Sequence, residues 1–478
     1  MNSCSRERLD SGWNEKCAIV GTYNVEKSAL MSYYALFAMQ HRGQEASGIS
    51  SSDGVRLYTH KSNGLVTKVF DEKKLQSLVG RLSIGHNRYS TAGKDSVDDA
   101  QPLFARYNLG EIAIAHNGNL TNAKEIREKL IHQGAIFQSH IDTENLIHLI
   151  AQNKKPSLRE RIVDALQVVD GAYGLLFLSR TKLIATRDRY GLRPLSIGKI
   201  INQDGSVGYI VASESCAFDL IGAEYVREIQ PGEMVIFEGL NPQNSLQPCI
   251  PKISTIQVFK PNPHPCVFEY VYFARPDSKV FSKNVYEVRK NLGRELAREH
   301  KIKADMVIPV PDSGVAAALG YSKESGIDFE LGIIRNHYVG RTFIEPTQEA
   351  RELKVRLKLN PISDLILGKD IIVIDDSIVR GTTSRQIVKI LRQAGAAKIH
   401  LLISSPQTIS PCFYGVDTPE TKDLICANYP LESVRDFIGA DTLGFLSLEA
   451  LSRSVGSQAY CQACFDGKYI DDFTKTKK

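Results

Sequence analysis

The chain has 478 residues, a net charge of +5, and 42% hydrophobic and 24% charged residues. These proportions are typical of an ordinary soluble globular protein, and a prior of roughly 150 residues per domain predicts two to four domains. The basic residues are dispersed, and no run approaches the roughly 18 apolar residues of a membrane span, so the composition argues against nucleic-acid and membrane partners.

The chain begins with a polar leader of 16 residues that lacks the apolar core of a secretory signal. Cys17 follows it at once and opens the strand-like run CAIVG. On this local pattern a buried structural cysteine is the simpler interpretation. The alternative is a nucleophile: a cut between Lys16 and Cys17 would free an α-amino group whose pKa of about 7.7–8.0 suits a general base.

From Cys17 to about residue 240, short strand candidates alternate with turn residues, and helical stretches lie at 27–40, 122–134 and 142–153. Closely spaced strands favour hairpins. The first half of the chain is therefore predicted to be an α+β sandwich.

Four polar motifs occur in this half: QHRGQEASG at 40–48, GHNRYSTAG at 85–93, AHNGNL at 115–120 and DTEN at 142–145. They supply the groups that a substrate with α-amino, α-carboxyl and side-chain amide groups needs. The guanidinium of Arg88 could pair with a carboxylate, and the carboxylate of Asp142 with an ammonium group. The Asn117 side chain and the Gly118 N–H could donate hydrogen bonds to an oxyanion.

In this order the motifs resemble those of the N-terminal-nucleophile glutamine amidotransferases. The resemblance implies a four-layer αββα sandwich and release of ammonia from glutamine through a γ-glutamyl thioester. It also implies the site residues: Cys17 as nucleophile and, through its freed amine, base; Asn117 and Gly118 as the oxyanion hole; Arg88, Thr91 and Asp142 as the clamp on the glutamine backbone groups; and Arg42 on the loop that closes over the site.

Segments rich in Pro, Asn and Gln at 241–248 and 260–265 predict a domain boundary. Beyond them a strand, loop, helix and strand follow one another, which predicts a parallel α/β sheet. VIDDSIVRGTTS at 373–384 joins one such strand to its helix. Asp375 and Asp376 could hold ribose hydroxyls or Mg²⁺, and the turn Gly381, Thr382, Thr383, Ser384 could cradle a monophosphate.

The segment resembles the phosphoribosyl-diphosphate (PRPP) loop of type I phosphoribosyltransferases, which implies a doubly wound parallel sheet. VPDSG at 310–314, with Ser313, resembles the loop that holds the diphosphate and the metal in that fold. Residues 335–351 resemble its mobile loop, with Arg335, Arg341 and Arg351 as candidate diphosphate contacts.

Together the halves resemble the amidophosphoribosyltransferase family. The resemblance implies that PRPP, glutamine and water give 5-phosphoribosylamine, glutamate and diphosphate, the first committed step of purine synthesis. It implies Mg²⁺, ammonia channelled between two sites, inhibition by purine nucleotides and a homotetramer. One alternative is an amidotransferase whose second half transfers the ammonia to another substrate, and the PRPP loop argues against it. The other is a PRPP-sensing regulator without catalysis, which would not need Cys17, Arg88, Asn117 and Asp142 together.

Nine irregularly spaced cysteines predict a reducing, cytoplasmic location. CQAC at 461–464 suits zinc, an iron–sulfur cluster or a redox pair. The family resemblance implies a [4Fe–4S] cluster on Cys266, Cys412, Cys461 and Cys464, in the branch that also has a propeptide. It assigns no role to Cys216, Cys249 or Cys426.

These inferences divide the chain into four parts. They are a propeptide at 1–16, an amidotransferase domain at 17–250, a phosphoribosyltransferase domain at 260–440 and a C-terminal segment with cluster ligands at 441–478.

Overall fold

A computed structural model describes residues 17–89, 96–241, 246–336, 358–416, 418–456 and 459–471. The first half contains two antiparallel sheets. Their strands are β1 Ala18–Tyr23, β2 Ala46–Ser52, β3 Leu57–Asn63, β4 Leu82–Arg88, β5 Leu103–Tyr107, β6 Gly110–Leu120, β7 Gly171–Ser179, β8 Leu183–Arg187, β9 Ser196–Ile201, β10 Val207–Ala212, β11 Glu224–Glu228, β12 Glu233–Glu238 and β13 Lys252–Gln257.

The seven-stranded sheet has the order β11-β9-β10-β1-β4-β2-β3, and the six-stranded sheet the order β13-β12-β8-β7-β6-β5. Their inner faces form one apolar core, with Ile19 and Ile84 from the first sheet and Leu176 and Val235 from the second. Because β1 is central and covered on both sides, all its residues are buried. This explains why its sequence is an uninterrupted run and not an alternating one.

Helices cover the outer faces of both sheets. The first sheet carries α1 Ser28–Ala38, α2 Val66–Val69, α3 Glu72–Ser77 and α7 Cys216–Ile221, and the second carries α4 Ala123–His132, α5 Thr143–Gln152 and α6 Leu158–Val168. The layers are therefore helix, sheet, sheet, helix. The predicted αββα sandwich is confirmed.

The strand β13 lies beyond residue 250, the predicted end of the first domain. It pairs along its whole length with β12, from Lys252 opposite Glu238 to Gln257 opposite Glu233. The first domain's sheet thus extends to residue 257.

The second half is built on four parallel strands, β16 Met306–Pro309, β19 Asp370–Asp375, β20 Lys398–Ile403 and β21 Thr442–Phe445. One face packs on α8 Val285–Glu299, α9 Val315–Ser325 and α14 Leu448–Val455, and the other on α11 Thr382–Gln393 and α13 Leu431–Ile438. Helices on both faces of a parallel sheet are the predicted doubly wound arrangement, which is confirmed.

Shorter elements complete the described chain. Two small hairpins consist of β14 Lys279–Val280 with β15 Lys283–Asn284 and of β17 Ile333–Arg335 with β18 Leu359–Pro361. The remaining helices are α10 Ser363–Ile366, α12 Ile425–Asn428 and α15 Ala463–Asp466, with a π-helical turn at Glu269–Phe273 and 3₁₀ turns at Gln40–Arg42, Val97–Asp99 and Thr421–Asp423.

The C-terminal segment returns to the start of the second half. Cys461 and Cys266 form a parallel bridge, in which the Val267 N–H donates to the Cys461 carbonyl at 3.1 Å and the Cys461 N–H to the Pro265 carbonyl at 2.9 Å. This return brings distant cysteines into one neighbourhood.

Candidate functional site

Cys17 directly precedes the central strand β1. Its thiol is 3.9 Å from the Tyr89 carbonyl, and its own carbonyl accepts a hydrogen bond from Arg42 Nε at 3.2 Å. Burial raises the pKa of the Cys17 thiol, Asp142 raises it further, and Arg88 and Arg42 oppose the rise. The thiol is therefore protonated near neutral pH and needs a base to become a nucleophile.

Asn117 and Gly118 lie near the end of β6, in the sheet that faces the sheet of β1. The Asn117 side chain is buried, and its Nδ2 donates to Ser213 Oγ at 3.5 Å. The same hydroxyl accepts the N–H of Ile19 at 3.0 Å. Ser213, which the sequence did not identify as a site residue, thus connects Asn117 to β1.

Gly118 adopts a backbone conformation that favours glycine, with φ of +153°. A Cβ there would lie 1.9 Å from the Ala172 carbonyl oxygen on β7. Only glycine fits this position, which leaves the peptide of Gly118 close-packed against the neighbouring strand.

Arg88 and Asp142 both lie within electrostatic reach of the Cys17 thiol. Arg88 lines a cavity of about 330 Å³ with Glu45, Ala46 and Asn63, and its Nη2 is 3.6 Å from Asp99 Oδ2. A cavity of this size, with a guanidinium on its wall, can take a small anionic substrate. Of the other three wall residues, Glu45 and Ala46 belong to the motif at 40–48, whereas the sequence did not indicate Asn63.

The carboxylate of Asp142 stays ionised although it is half-buried. Burial alone would raise its pKa, but His116 Nδ1 at 3.4 Å and the Leu120 N–H at 2.8 Å hold the pKa of Asp142 below its usual range. It can therefore attract an ammonium group at neutral pH. Thr91, the third predicted clamp residue, lies outside the described residues.

Arg42 lies beneath Cys17, buried to 1% exposure. Its Nη1 and Nη2 donate to Glu269 at 3.0 and 2.9 Å, and Nη1 also donates to Glu214 at 2.5 Å. With Nε on the Cys17 carbonyl, these contacts use four of the five N–H donors of the guanidinium. In this structure Arg42 holds the backbone of Cys17 in place, and its contact with a substrate stays a prediction.

Glu269 joins the two halves of the chain. It belongs to the π-helical turn at the start of the second half, and it also pairs with the buried Arg193 at 3.4 Å. Glu214 accepts hydrogen bonds from the Ser278 hydroxyl at 2.6 Å and the Arg275 N–H at 2.9 Å. Buried charges thus connect the two domains directly behind Cys17.

The second candidate site lies where β19 ends. Asp375 and Asp376 are each 7% exposed, and Gly381 has φ of +72° just before α11 begins at Thr382. Burial and mutual repulsion raise the pKa of Asp375. Burial also raises the pKa of Asp376, against opposing effects of Ser313, Ser377 and Arg289.

The predicted diphosphate loop at 310–314 lies beside this pair. The Val310 N–H donates to the Ile374 carbonyl at 2.8 Å, and a Cβ on Gly314 would lie 2.3 Å from the same oxygen. Ser313 hydrogen-bonds Asp376. Two acids, a hydroxyl and the N-terminus of a 12-residue helix therefore converge, which suits a cation and a phosphate together.

Of the predicted mobile-loop arginines, only Arg335 is described. Its Nη1 is 2.5 Å from Asp312 Oδ2, and both side chains are exposed. Arg341 and Arg351 lie outside the described residues. Thr382, Thr383 and Ser384 form the first turn of α11, and their contact with a phosphate stays a prediction.

The four predicted cluster cysteines lie close enough together for their charges to affect one another's pKa. Burial raises the pKa of Cys464, and Cys266, Cys412 and Cys461 each raise it further. In the described parts of the chain, however, no three His, Cys, Asp or Glu side chains are arranged to hold a metal ion. A single ion would draw its ligands to about 2.3 Å from one point, whereas a four-iron core keeps its cysteines apart.

The other described cysteines are free thiols, as are these four. Cys216 begins α7, with its sulfur 3.9 Å from both the Ala38 carbonyl and Glu214. Burial raises the pKa of Cys426 to about 12, and burial also raises that of Cys249. Within the described ranges, no helix is long and apolar enough to span a membrane.

Comparison with known proteins gives consistent matches. A family model described as a glutamine amidotransferase domain matches residues 86–219. The amidophosphoribosyltransferase of Bacillus subtilis is 45% identical over 467 residues, which are 96% of this chain and 94% of that protein. That of Methanocaldococcus jannaschii is 46% identical over 471 residues, 95% of this chain and 97% of that one.

A solved structure agrees over the same length. The glutamine PRPP amidotransferase from B. subtilis, complexed with ADP and GMP, superposes with a TM-score of 0.87 at 45% identity, covering 95% of this chain and 98% of that one.

Proposed function

The chain belongs to the amidophosphoribosyltransferase family, and from this premise we propose how its residues divide the family's reaction. The enzyme converts PRPP, glutamine and water into 5-phosphoribosylamine, glutamate and diphosphate, the first committed step of purine biosynthesis. The observation that carries the proposal is the pair of constellations, one around Cys17 and one around Asp375 and Asp376, on two domains joined by buried charges.

In the first half Cys17 attacks the amide carbon of glutamine. The half-buried thiol, whose pKa is raised, needs a base, and the α-amino group of Cys17 fills that role once residues 1–16 are removed. The amine takes the thiol proton and delivers it to the leaving nitrogen, so that ammonia departs and a thioester remains. Water then hydrolyses the thioester to glutamate.

The surrounding groups hold the substrate and stabilise the charge that develops. Asn117 Nδ2 and the Gly118 N–H donate to the tetrahedral oxyanion. Arg88 on the cavity wall pairs with the α-carboxylate, and the ionised Asp142 with the α-ammonium group, together with Thr91. Arg42 contributes by holding the Cys17 backbone in place.

In the second half Asp375 and Asp376 bind the ribose hydroxyls of PRPP, and the turn Gly381, Thr382, Thr383, Ser384 binds its 5-phosphate. Ser313 and the paired acids would hold Mg²⁺, which when bound neutralises charge on the leaving diphosphate. Two carboxylates suffice because Mg²⁺ usually takes its remaining ligands from water and substrate phosphates. The exposed Arg335, beside Asp312 of the diphosphate loop, binds a diphosphate oxygen.

Ammonia made at Cys17 passes between the two halves without entering bulk water. Support comes from the contact between the two halves behind Cys17, where Arg42, Glu269 and Arg193 are all buried. Exclusion of water keeps ammonia unprotonated and therefore nucleophilic.

The four cysteines at 266, 412, 461 and 464 fit a [4Fe–4S] cluster better than a single ion. They supply four soft sulfur donors close enough to raise one another's pKa, with Cys266 buried and the other three half-buried. The fully buried Arg193 lowers the pKa of Cys266 and Cys412 against the effect of burial, and its Nε–H has no acceptor among the residues that the structure describes. Such a donor suits a sulfur-rich anionic group. Membership of the propeptide-bearing branch forms part of this proposal.

Purine nucleotides are the proposed feedback inhibitors, because the matching B. subtilis enzyme was solved with ADP and GMP. A homotetramer and a cytoplasmic location complete the proposal, the latter supported by free thiols at every described cysteine.

The proposed function is tested with purified protein, PRPP, Mg²⁺ and glutamine labelled at the amide with ¹⁵N. Diphosphate and glutamate should form one for one, with the label in the phosphoribosylamine. Diphosphate release without glutamate, or label left in free ammonia alone, would contradict it.

A further inference from the structure

The turn that carries Gly118 touches a segment almost 300 residues away. Gly415 has φ of +93°, and a Cβ on it would lie 2.8 Å from the carbonyl carbon of Gly118 and 2.9 Å from its oxygen. Next to this contact, Asn119 Nδ2 donates to the Phe413 carbonyl at 2.9 Å. The segment that begins at Cys412 therefore packs directly on the end of β6.

This segment, Cys412–Gly415, is itself firmly held. The Tyr414 N–H donates to Cys412 Sγ at 3.3 Å, and the Cys412 N–H to Thr418 Oγ1 at 2.6 Å. Tyr414 is buried, and its carbonyl accepts a hydrogen bond from the buried Arg193. A segment fixed at these points can act as a support for its neighbour.

Gly118 is consequently confined from two sides. The Ala172 carbonyl on β7 fills the space where a side chain would extend, and the Gly415 backbone lies against the Gly118 carbonyl. The Gly118 N–H and carbonyl belong to the two peptides that meet at the Gly118 Cα, so contacts that fix this residue on both sides also limit the rotation of its N–H. Preorganised donors of this kind stabilise an oxyanion because they need no reorientation during the reaction.

We propose that the segment Cys412–Gly415 is a positioning element for the glutamine site, which holds the Gly118 N–H in its oxyanion-binding orientation. This inference rests on the proposed role of Asn117 and Gly118. It makes a segment of the phosphoribosyltransferase half, which contains one of the four grouped cysteines, part of the support of the glutaminase centre.

The test is Gly415→Ala, assayed with glutamine and, separately, with ammonia as nitrogen donor. The kcat with glutamine should fall by about tenfold or more, with little change in the KM for glutamine and none in the ammonia-dependent rate. Gly205→Ala is the matched control: Gly205 has φ of +80°, but a Cβ there meets nothing within 4 Å. It should leave both rates unchanged.

A second readout separates positioning from general damage. An aldehyde analogue of glutamine forms a tetrahedral adduct with a thiol, so its affinity reports the oxyanion hole. Its affinity should fall in parallel with kcat in Gly415→Ala and less in Asn119→Ala, which only removes the bond to Phe413. Asn119→Ala also provides the measurement if Gly415→Ala does not fold.

Each outcome bears on one inference. Unchanged kcat and aldehyde affinity in both variants would overturn the positioning role, while a large loss in Asn117→Ala would leave the proposed oxyanion hole standing. Equal loss of the ammonia-dependent rate would also overturn it, because the effect would not be confined to glutamine. A fully active Asn117→Ala would remove the oxyanion role and this inference together.

Discussion

Replacing Asn117 with alanine should slow glutamine-dependent synthesis by about 10²–10³-fold, because one of two donors to the oxyanion is lost. A single donor of this kind contributes about 2.7–4 kcal/mol to the transition state. The fold should tolerate the change. Asn117 Nδ2 makes only a long bond of 3.5 Å to Ser213 Oγ, and that hydroxyl keeps its partner, the Ile19 N–H at 3.0 Å.

The assay compares glutamine-dependent with ammonia-dependent formation of phosphoribosylamine in the same preparation. The KM for glutamine should change little, since the donor acts in the transition state. Asn122→Ala is the control, an asparagine five residues on whose Nδ2 donates to the Val168 carbonyl at 2.9 Å. A loss below about threefold in Asn117→Ala, or an equal loss with ammonia, would refute the reasoning.

Three further predictions concern the leader, the buried charges and the cysteines. Mass spectrometry of active protein should find residues 1–16 missing, because an acylated Cys17 amine cannot accept a proton. Arg42→Met should lower the free energy of unfolding by about 3–5 kcal/mol in urea, since the carboxylates of Glu214 and Glu269 remain buried without it. Cys464→Ser should lower the iron and acid-labile sulfide content of anaerobically purified protein, because the proposed cluster loses a ligand.

Each of these has its own control and contrary result. An intact leader on fully active enzyme would exclude the amine as base. Lys422→Ala, which breaks an exposed pair with Glu420, should leave the unfolding curve where it is, and an Arg42→Met curve that coincides with it would contradict the buried-network argument. Zinc in place of iron in the wild-type protein would overturn the cluster, and Cys249→Ser should retain the iron of the wild type.

The sequence predicted the fold well where local patterns determine it. The run from Ala18 to Tyr23 is apolar because β1 is covered on both faces. Asp375 ends a buried parallel strand and Asp376 follows it. Short strands separated by turn residues correctly indicated a sandwich. The strand Lys252–Gln257 was missed because most of its residues are exposed at the sheet edge and carry no apolar alternation.

The support of the site could not be predicted, because it depends on contacts between distant residues. Glu269 pairs with Arg42 across 227 residues, and nothing near either residue signals the other. No sequence pattern marks Ser213 as a site residue, because its contacts with Ile19 and Asn117 form only in the fold. The need for glycine at position 415 likewise follows only from its close approach to Gly118 in the fold.

The central claim is that two separate sites, one in each half, share the reaction. The most direct test is Cys17→Ala, assayed with glutamine and with ammonia. The account predicts complete loss of glutamine-dependent synthesis and a retained ammonia-dependent rate, because the PRPP site at Asp375 and Asp376 does not use the thiol. Loss of both activities to the same extent, in a variant that unfolds like the wild type, would contradict it.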